Sequence, residues 1–372
     1  MASLLHLRNK YDGNRQWIWA IIGLLIVVAI WWVLAEMLSI QRPLVEYTTQ
    51  LPSTEEQNSD DFSLNIDSIF VADSIALANA TEFEQIYPLL PPPHHVVTAF
   101  GELQKDDDLL LNTWISVWRN LQGYFWAIFI ALLIGFPIGL HPAVRALFSK
   151  QVDALRYLPI TALTGLFILW FGVGDQMKIA FLAFGILVYL LPVVIQRINE
   201  VEDVYLKTVF TLGSTNWQMI RSVYFPSVLS KLMDDIRVLT AISWTYIIIA
   251  ELLNREGGVG AMIWLNGKYG KVDKVFAWLL IIIAVGFLQD RLFVYLDKRL
   301  FPHKYYKTVF NGLKEVKIGF LVILASVMLF LLLSSFAPAI SGLMLNLLYI
   351  ILITGFIAII YGEFRFQSSY IQ

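Results

Sequence analysis

The chain of 372 residues contains no cysteine. That absence excludes a disulfide framework, thiolate metal ligands and cysteine nucleophiles. Charge is scarce too: Asp, Glu, Lys and Arg make up 15% of the sequence and apolar residues 58%. Soluble domains carry about a quarter charged residues, so this composition excludes an ordinary water-soluble fold. No Gly-x-x-x-x-Gly-Lys-Ser/Thr loop occurs; Gly267-Lys268 is followed by Tyr269, so the chain lacks that means of cradling a nucleoside triphosphate. No repeat with a period of about 20–50 residues is apparent.

What the chain has instead is long apolar runs. A helix needs about 20 mostly apolar residues to cross the hydrocarbon layer. Eight segments qualify: 17–40, 114–140, 157–173, 177–196, 236–254, 275–296, 318–336 and 343–361, the third being the shortest. Each is expected to be helical, because a lipid-exposed strand leaves backbone groups unsatisfied. The runs are also too continuous for a membrane barrel. The fold class read from these runs is all-α, a polytopic helical membrane protein with about eight transmembrane helices.

The net charge of −2 conceals a strong asymmetry. Residues 41–112 hold thirteen acids against Arg42 and Lys105, a local charge of −11, and the remainder carries +9. By the positive-inside rule, Arg8, Lys10 and Arg15 place the N-terminus in the cytoplasm. Arg145, Lys150 and Arg156 do the same for 141–156, and seven basic residues from Arg291 to Lys317 for 290–317. Threading eight spans brings both termini to the cytoplasmic side. One segment dissents: 255–274 carries Arg255, Lys268, Lys271 and Lys274 yet falls outside. The first apolar run is too long for a signal-peptide h-region, and no small-x-small site follows Leu38, so it reads as an uncleaved anchor.

Four parts follow: 1–43, tail and first span; 44–112, an acidic extracytoplasmic segment; 113–303, a multispan core; and 304–372, a basic linker with two further spans. Within the acidic part, 53–61 reads as disordered or solvated, and the alternation of 63–87 suits an amphipathic helix. Pro91-Pro92-Pro93 forces an extended linker, and 94–104 suits a short surface helix with Val97, Phe100 and Leu103 apolar. His94-His95 reads as solvated loop in preference to a metal site. Gly135, Pro137 and Gly139 in the second span suit a bent, packed helix or a hinge.

Between two spans on the cytoplasmic side lies the polar stretch 200–228. In it Gly213 is followed, after nine residues, by Val223-Tyr224-Phe225-Pro226. This spacing resembles the signature loop of ABC-importer permeases: Glu-Ala-Ala, three residues, Gly, nine residues, Ile, one residue, Leu-Pro. Lys207-Thr208-Val209 stand where that family has Glu-Ala-Ala. Further blocks resemble the nitrate/sulfonate/taurine subfamily: Pro91-Pro92-Pro93 to Gly123 with Ser116 and Arg119; Arg156-Tyr157-Leu158-Pro159 with Leu169 to Gly174; and Ala250-Glu251 with Gly257-Gly258-Val259-Gly260. The resemblance covers roughly 88–303 and implies an ABC-importer permease core, with an N-terminal anchor and two extra C-terminal helices.

The resemblance implies that the loop forms a short coupling helix, a turn and a second helix docking on a separate ATPase. Gly213 suits the turn and Pro226 the start of the next helix. Lys207, Thr208, Gly213, Trp217, Val223 and Pro226 are the coupling candidates, with Met219, Ile220 and Tyr224 adding apolar grip. Pathway or gating candidates are Glu251, Trp244, Tyr246, Ser243 and Pro159. Glu251 is expensive to bury and so a functional candidate, or an interface carboxylate paired with Arg255. Thr240, Ser243, Trp244 and Tyr246 either line a cavity or join helices. Arg119 and Lys178 read as snorkelling cations in preference to substrate ligands.

No catalytic or metal residue is expected, and no cofactor on this chain; ATP and Mg belong to the partner ATPase. The implied partners are that ATPase, a second permease copy in a homodimer, an extracytoplasmic solute-binding protein and membrane lipid, without nucleic acid. The implied cargo is a small anion such as nitrate, bicarbonate, a sulfonate or taurine. Two other classes remain open. A secondary transporter or channel would need paired intramembrane charges, and a non-transporting scaffold would fit the altered Lys207-Thr208-Val209 and the added spans.

Overall fold

A computed structural model of the chain describes residues 13–43, 83–253, 256–305, 312–336 and 341–371. The N-terminal tail, most of the acidic segment, Arg255 and part of the basic linker lie outside the described residues. The chain divides into two compact units, one of residues 1–108 with 263–278, the other of residues 109–262 with 279–372.

The first unit begins with helix α1, Gly13–Met37. Strand β1, Ile40–Pro43, pairs antiparallel with β2, Phe83–Ile86, so the helix expected to run to residue 87 does not include 83–86. Extended backbone prevails there because the two segments complete each other's hydrogen bonds. Trp31 Nε1 donates to Pro91 O at 2.9 Å, and Glu36 accepts from Gln85 Nε2 at 2.8 Å. His94 and His95, expected in a loop, open the next helix; His94 lies tilted against Trp32 and His95 meets Tyr87 edge-on. Helix α2, Pro93–Asp106, is the short helix expected over 94–104; it buries Val96, Ala99 and Leu103, whereas Val97 is exposed. Lys274 of the same unit is buried, 2.9 Å from Asp106 and 3.5 Å from Glu102. Of the four cations of 255–274, Lys274 is thus paired within the fold.

The second unit holds the multispan core. Its elements are α3 (Leu109–Leu140), α4 (Pro142–Leu155), a 3-10 turn (Ile160–Leu163), α5 (Thr164–Phe171) and α6 (Asp175–Asn199). Then come α7 (Asp203–Thr211), α8 (Asn216–Met219), a π turn (Ile220–Tyr224) and α9 (Phe225–Leu253). Helices α10 (Val259–Lys268) and α11 (Val272–Leu300) each have residues in both units, and α12 (Leu313–Phe336) and α13 (Ser341–Ile371) follow.

Glycines set the central contact. A Cβ at Gly123 would meet Leu182 at 2.4 Å, at Gly135 Val194 at 2.7 Å and at Gly139 Ile198 at 2.5 Å. The absence of side chains lets α3 and α6 approach closely, as small residues do between membrane helices. Partners advance together along both helices, with one constant difference in number across the three pairs, so α3 and α6 run parallel. Asp175 therefore stands level with Ser116, and residues 141–174 must return the chain over about 36 Å at 1.5 Å per residue.

That return is not the single helix expected over 157–173. It is α4 followed, after a break at 156–159, by the 3-10 turn and α5, bent by 93°. Pro159 has no backbone donor to continue α4, and its ψ of 98° turns the chain. Pro137 lies near the end of α3, which remains one helix.

Helix α9 packs antiparallel on α6, with Tyr246 over Gly185 and Asp235 paired to Arg197. Residues 279–300 of α11 pack on α9, where Trp244 Nε1 donates to Gln289 Oε1 at 3.0 Å. Helices α12 and α13 form an antiparallel hairpin closed by Gly312 and Gly319 against Gly362 and Gly355. Tyr295 and Arg299 hold this hairpin to α11, donating to Glu363 at 2.5 and 2.6 Å.

Among the described residues, five helices are long and apolar enough to cross a membrane, and six if the bent pair counts as one span. The last two of the eight expected spans fall on helices α12 and α13, which are not among those five or six.

Candidate functional site

Two sites lie at opposite ends of the same helices. The first is a charged cluster. Asn112, Ser116 and Arg119 occur at helical spacing on α3 and so share one face. Arg119 Nη1 donates to Glu251 Oε1 at 3.0 Å and to Gly257 O at 2.9 Å. Its Nη2 donates to Asp175 Oδ1 at 2.6 Å and to Glu256 O at 3.0 Å, and Nε to the same carboxylate at 2.9 Å. One guanidinium thereby joins α3, the start of α6, the end of α9 and the turn after it. The planar fork of five donors suits this work better than an ammonium would.

Glu251 is fully buried. Besides Arg119 it accepts from Ser116 Oγ at 2.7 and 2.8 Å and from the Gly260 N–H at 2.9 Å. Asn112 Oδ1 accepts from Gly258 N, and Ser116 Oγ from Val259 N, both at 2.8 Å. Gly258 has φ of +101°, and a Cβ there would lie 2.3 Å from Glu251 Oε1. Glycine is thus required twice over, by backbone angle and by space.

Arg119 and Lys178 do not snorkel. Arg119 is 4% exposed and Lys178 0%, and the Lys178 Nζ lies 3.6 Å from Asp175. Fixed carboxylates nearby make burial affordable where hydrocarbon alone would not. Glu251 takes Arg119 as its partner; Arg255 is outside the described residues.

The second site is the polar stretch between α6 and α9. Helix α7 ends at Thr211, and Gly213 adopts φ of +75° to turn the chain. A capping box starts α8: the Gln218 N–H donates to Thr215 Oγ1 at 3.3 Å, and the Thr215 N–H to Gln218 Oε1 at 2.8 Å. Pro226 does not start a helix as expected: helical backbone runs from Asn216 to Leu253, and Pro226, which has no N–H to donate, lies just after the π turn Ile220–Tyr224. Lys207 is exposed, 3.8 Å from Asp203 one turn back. Thr208 Oγ1 donates to Val204 O. Trp217 is 70% exposed, whereas Val223 is buried in the core and roots the loop.

Between α7 and α8 runs a cleft of about 540 Å³ lined by Asp203, Leu206, Lys207, Phe210, Thr211 and Met219. Phe210 is 71% and Leu212 81% exposed. These two escape a sequence reading, because an apolar residue on a short helix looks like a core residue. Their one signal is position, on either side of a helix end that precedes a glycine.

Of the other pathway candidates, Ser243, Trp244 and Tyr246 are buried between helices, and Pro159 is exposed. Ser243 Oγ accepts from Asn120 Nδ2 at 3.0 Å, Trp244 holds Gln289, and Tyr246 packs on Phe181. Thr240 Oγ1 donates to Ile236 O. Pro159 precedes the 3-10 turn, away from this cluster in sequence and element.

Comparison with known proteins gives a consistent grouping. The model of the family described as binding-protein-dependent transport system inner membrane component matches residues 123–302. A Bacillus subtilis (strain 168) protein named as an aliphatic sulfonates transport permease is 32% identical over 215 residues, 57% of this chain and 77% of that protein. The taurine transport system permease protein of Escherichia coli (strain K12) is 27% identical over 223 residues, 58% of this chain and 81% of the relative. The family match ends at residue 302, so α12 and α13 lie beyond it.

Proposed function

The chain belongs to the binding-protein-dependent transport system inner membrane components, the permease subunits of ABC importers, and we propose that it carries a small sulfonate across the bacterial inner membrane. Two similar permeases named for aliphatic sulfonates and for taurine support that cargo. A solute-binding protein delivers the sulfonate, two copies of the chain form the path, and a separate ATPase supplies the work.

The observation that carries the reading is the stretch 200–228. Tyr205, Phe210, Leu212 and Trp217 are exposed on this stretch, and Phe210 also lines its cleft. Such a patch on a polar element calls for a protein partner. Lys207, Thr208, Gly213, Trp217, Val223 and Pro226 have distinct parts in it: Trp217 grips, Lys207 and Thr208 border the grip, Gly213 and Pro226 shape the turn, and Val223 anchors it.

The same helices explain how a push would travel. Arg197 with Asp235 ties α6 to α9 near the loop, and Arg119 ties them near the far end. Between these ties, Tyr246 sits in the groove left by Gly185. The pair α6–α9 is thereby tied at both ends, with α3 joined to it at the Arg119 end, and in this scheme the three helices move as one body. ATP binding shifts the loop only to the extent that it favours one arrangement of the dimer over the other. Glu251 acts in this scheme as the outer staple, and Ser243, Trp244 and Tyr246 keep the bundle whole.

Co-purification of the tagged chain from native membranes, with taurine uptake into vesicles supplied with binding protein and ATP, tests the reading. A stoichiometric ATPase that is lost in Phe210→Asp, together with ATP-dependent uptake, is the expected result. A folded chain with no ATPase attached overturns it and favours a scaffold. ATPase without sulfonate uptake overturns the cargo alone.

A further inference from the structure

Asp297 of α11 is fully buried, and the side chains that meet its carboxylate come from the segment just after that helix. Lys304 Nζ lies 3.2 Å from Asp297 Oδ1, and the Tyr305 hydroxyl donates to Oδ2. A buried carboxylate stripped of its partners is strongly destabilising, so residues 301–305 stay fastened to α11 while Asp297 stays buried. The family match ends at residue 302, which leaves both partners of this core carboxylate beyond it.

The same ammonium reaches α9. Lys304 Nζ lies 3.2 Å from Asp234 Oδ2, and His303 Nε2 lies 3.4 Å from Ser230 Oγ. Ser230 and Asp234 are four residues apart and share one face of α9. An exposed ion pair alone holds little. Asp297 has already fixed Lys304, however, so meeting Asp234 takes little further side-chain freedom. Two other contacts join α9 to α11, Trp244 with Gln289 and Arg237 with Asp290, each at 3.0 Å. Those at Ser230 and Asp234 lie nearest the stretch 200–228. Helical backbone is continuous from Asn216 to Leu253, so Trp217 stands on the same rod, about 25 Å from Asp234 at 1.5 Å per residue. On the other side Glu363 holds Arg299 at 2.6 Å, so the hairpin α12–α13 braces the segment where it leaves α11.

We propose that Lys304 is a positioning residue for ATP coupling: it pins the loop-bearing end of α9 to α11 and sets the angle at which Trp217 meets the ATPase. This role rests on the reading of 200–228 as the ATPase contact. Pinned, α9 carries α11 and the appended hairpin with it when the ATPase displaces the loop. Unpinned, α9 tilts alone and the stroke is lost before it reaches the rest of the bundle.

The chain has no cysteine, so spin labels can be placed singly at Ser222→Cys and Leu288→Cys, both exposed. Pulsed electron paramagnetic resonance on the full chain, purified with its ATPase, reads the distance from the loop end of α9 to α11. Unlabelled chains in vesicles with binding protein give taurine uptake per ATP hydrolysed. Lys304→Ala is expected to broaden the distance distribution and to lose uptake while hydrolysis continues. Lys304→Arg keeps a donor for both carboxylates, and Arg365→Ala removes an ion pair inside the hairpin; both are expected to match wild type. Should Lys304→Ala fail to fold, Lys304→Ala with Asp297→Asn removes the pin without leaving a buried charge, and the same two changes are expected. An unchanged distance or unchanged uptake per ATP in the folded variant overturns the proposal, as does failure of Lys304→Arg to restore them. If wild type binds the ATPase but takes up no taurine, the cargo reading falls alone and the distance settles the matter: broadening supports the pin, constancy overturns it. A wild type that binds no ATPase overturns the proposed function and the role of Lys304 with it.

Discussion

Asp235 on α9 receives Arg197 of α6 in a two-pronged pair, Nε to Oδ2 and Nη2 to Oδ1, each at 2.7 Å. Fork geometry of this kind combines strength with a fixed orientation, and it sets the angle between the two helices where they meet the loop. Glu200 extends the pair by accepting from Arg197 Nη1 at 2.6 Å.

Hydrogen bonding from Arg197 holds the Glu200 carboxyl below its ordinary value of 4.5. A carboxyl depressed in the folded state contributes stability that is complete above the unfolded value and is lost as pH falls through the folded one. The melting temperature of wild type is therefore expected to exceed that of Glu200→Gln at neutral pH. The gap should close as pH drops below about 4.5. A gap that persists at low pH would show that Glu200 acts through packing and not through its charge.

At the other end the burial is deeper and the expected cost larger. Arg119→Ala leaves the Glu251 carboxylate buried with Ser116 and one N–H only. Removing one member of a buried pair costs about 3–5 kcal/mol. Replacing both, as Arg119→Met with Glu251→Met, removes the uncompensated charge and should cost less than the two single changes summed. Denaturant titration in detergent micelles gives the cycle. Additive losses would mean that the two side chains stabilise the fold independently.

Gly258→Ala should also loosen this end. Its backbone lies at φ of +101° and its Cβ would meet a carboxylate oxygen at 2.3 Å. Strain of about 1–3 kcal/mol adds to displacement of Glu251. Gly213→Ala shares the positive φ but meets nothing within 4 Å, so it should cost less. Thermal unfolding of the two variants side by side checks the order, and equal losses would leave the Glu251 contact without weight.

Hydropathy makes the spanning helices legible, because crossing hydrocarbon demands one long apolar run for each. It fails at 157–173, where a run of the right composition is broken by Pro159 and returns the chain in two pieces. Composition does not register a bend. The cost of burying a carboxylate flags Glu251 from sequence, but its partner Arg119 belongs to a helix three spans earlier, and only the fold brings them together. Lys178 and Arg119 read as surface cations for the same reason: long stems near a helix end can snorkel, and nothing local announces Asp175 or Glu251 beside them. Val97 and Phe210 mark the converse limit, since an apolar residue carries no sign of whether a neighbour covers it.

The contact of Gly123 with Leu182 offers the most direct test of the parallel arrangement. Gly123→Leu places a branched side chain where only 2.4 Å separates the Cβ position from Leu182, and overpacking costs about 1–3 kcal/mol. Leu182→Ala alone opens a cavity, at about 2–5 kcal/mol. If the two residues face each other across α3 and α6, Gly123→Leu with Leu182→Ala returns the missing volume and should be more stable than either single variant. The same exchange at Gly123 with Val194→Ala joins two positions more than three helical turns apart along the bundle axis, and should give no rescue. Rescue by the second combination and not the first would exclude the register on which the return of 141–174 across the membrane depends.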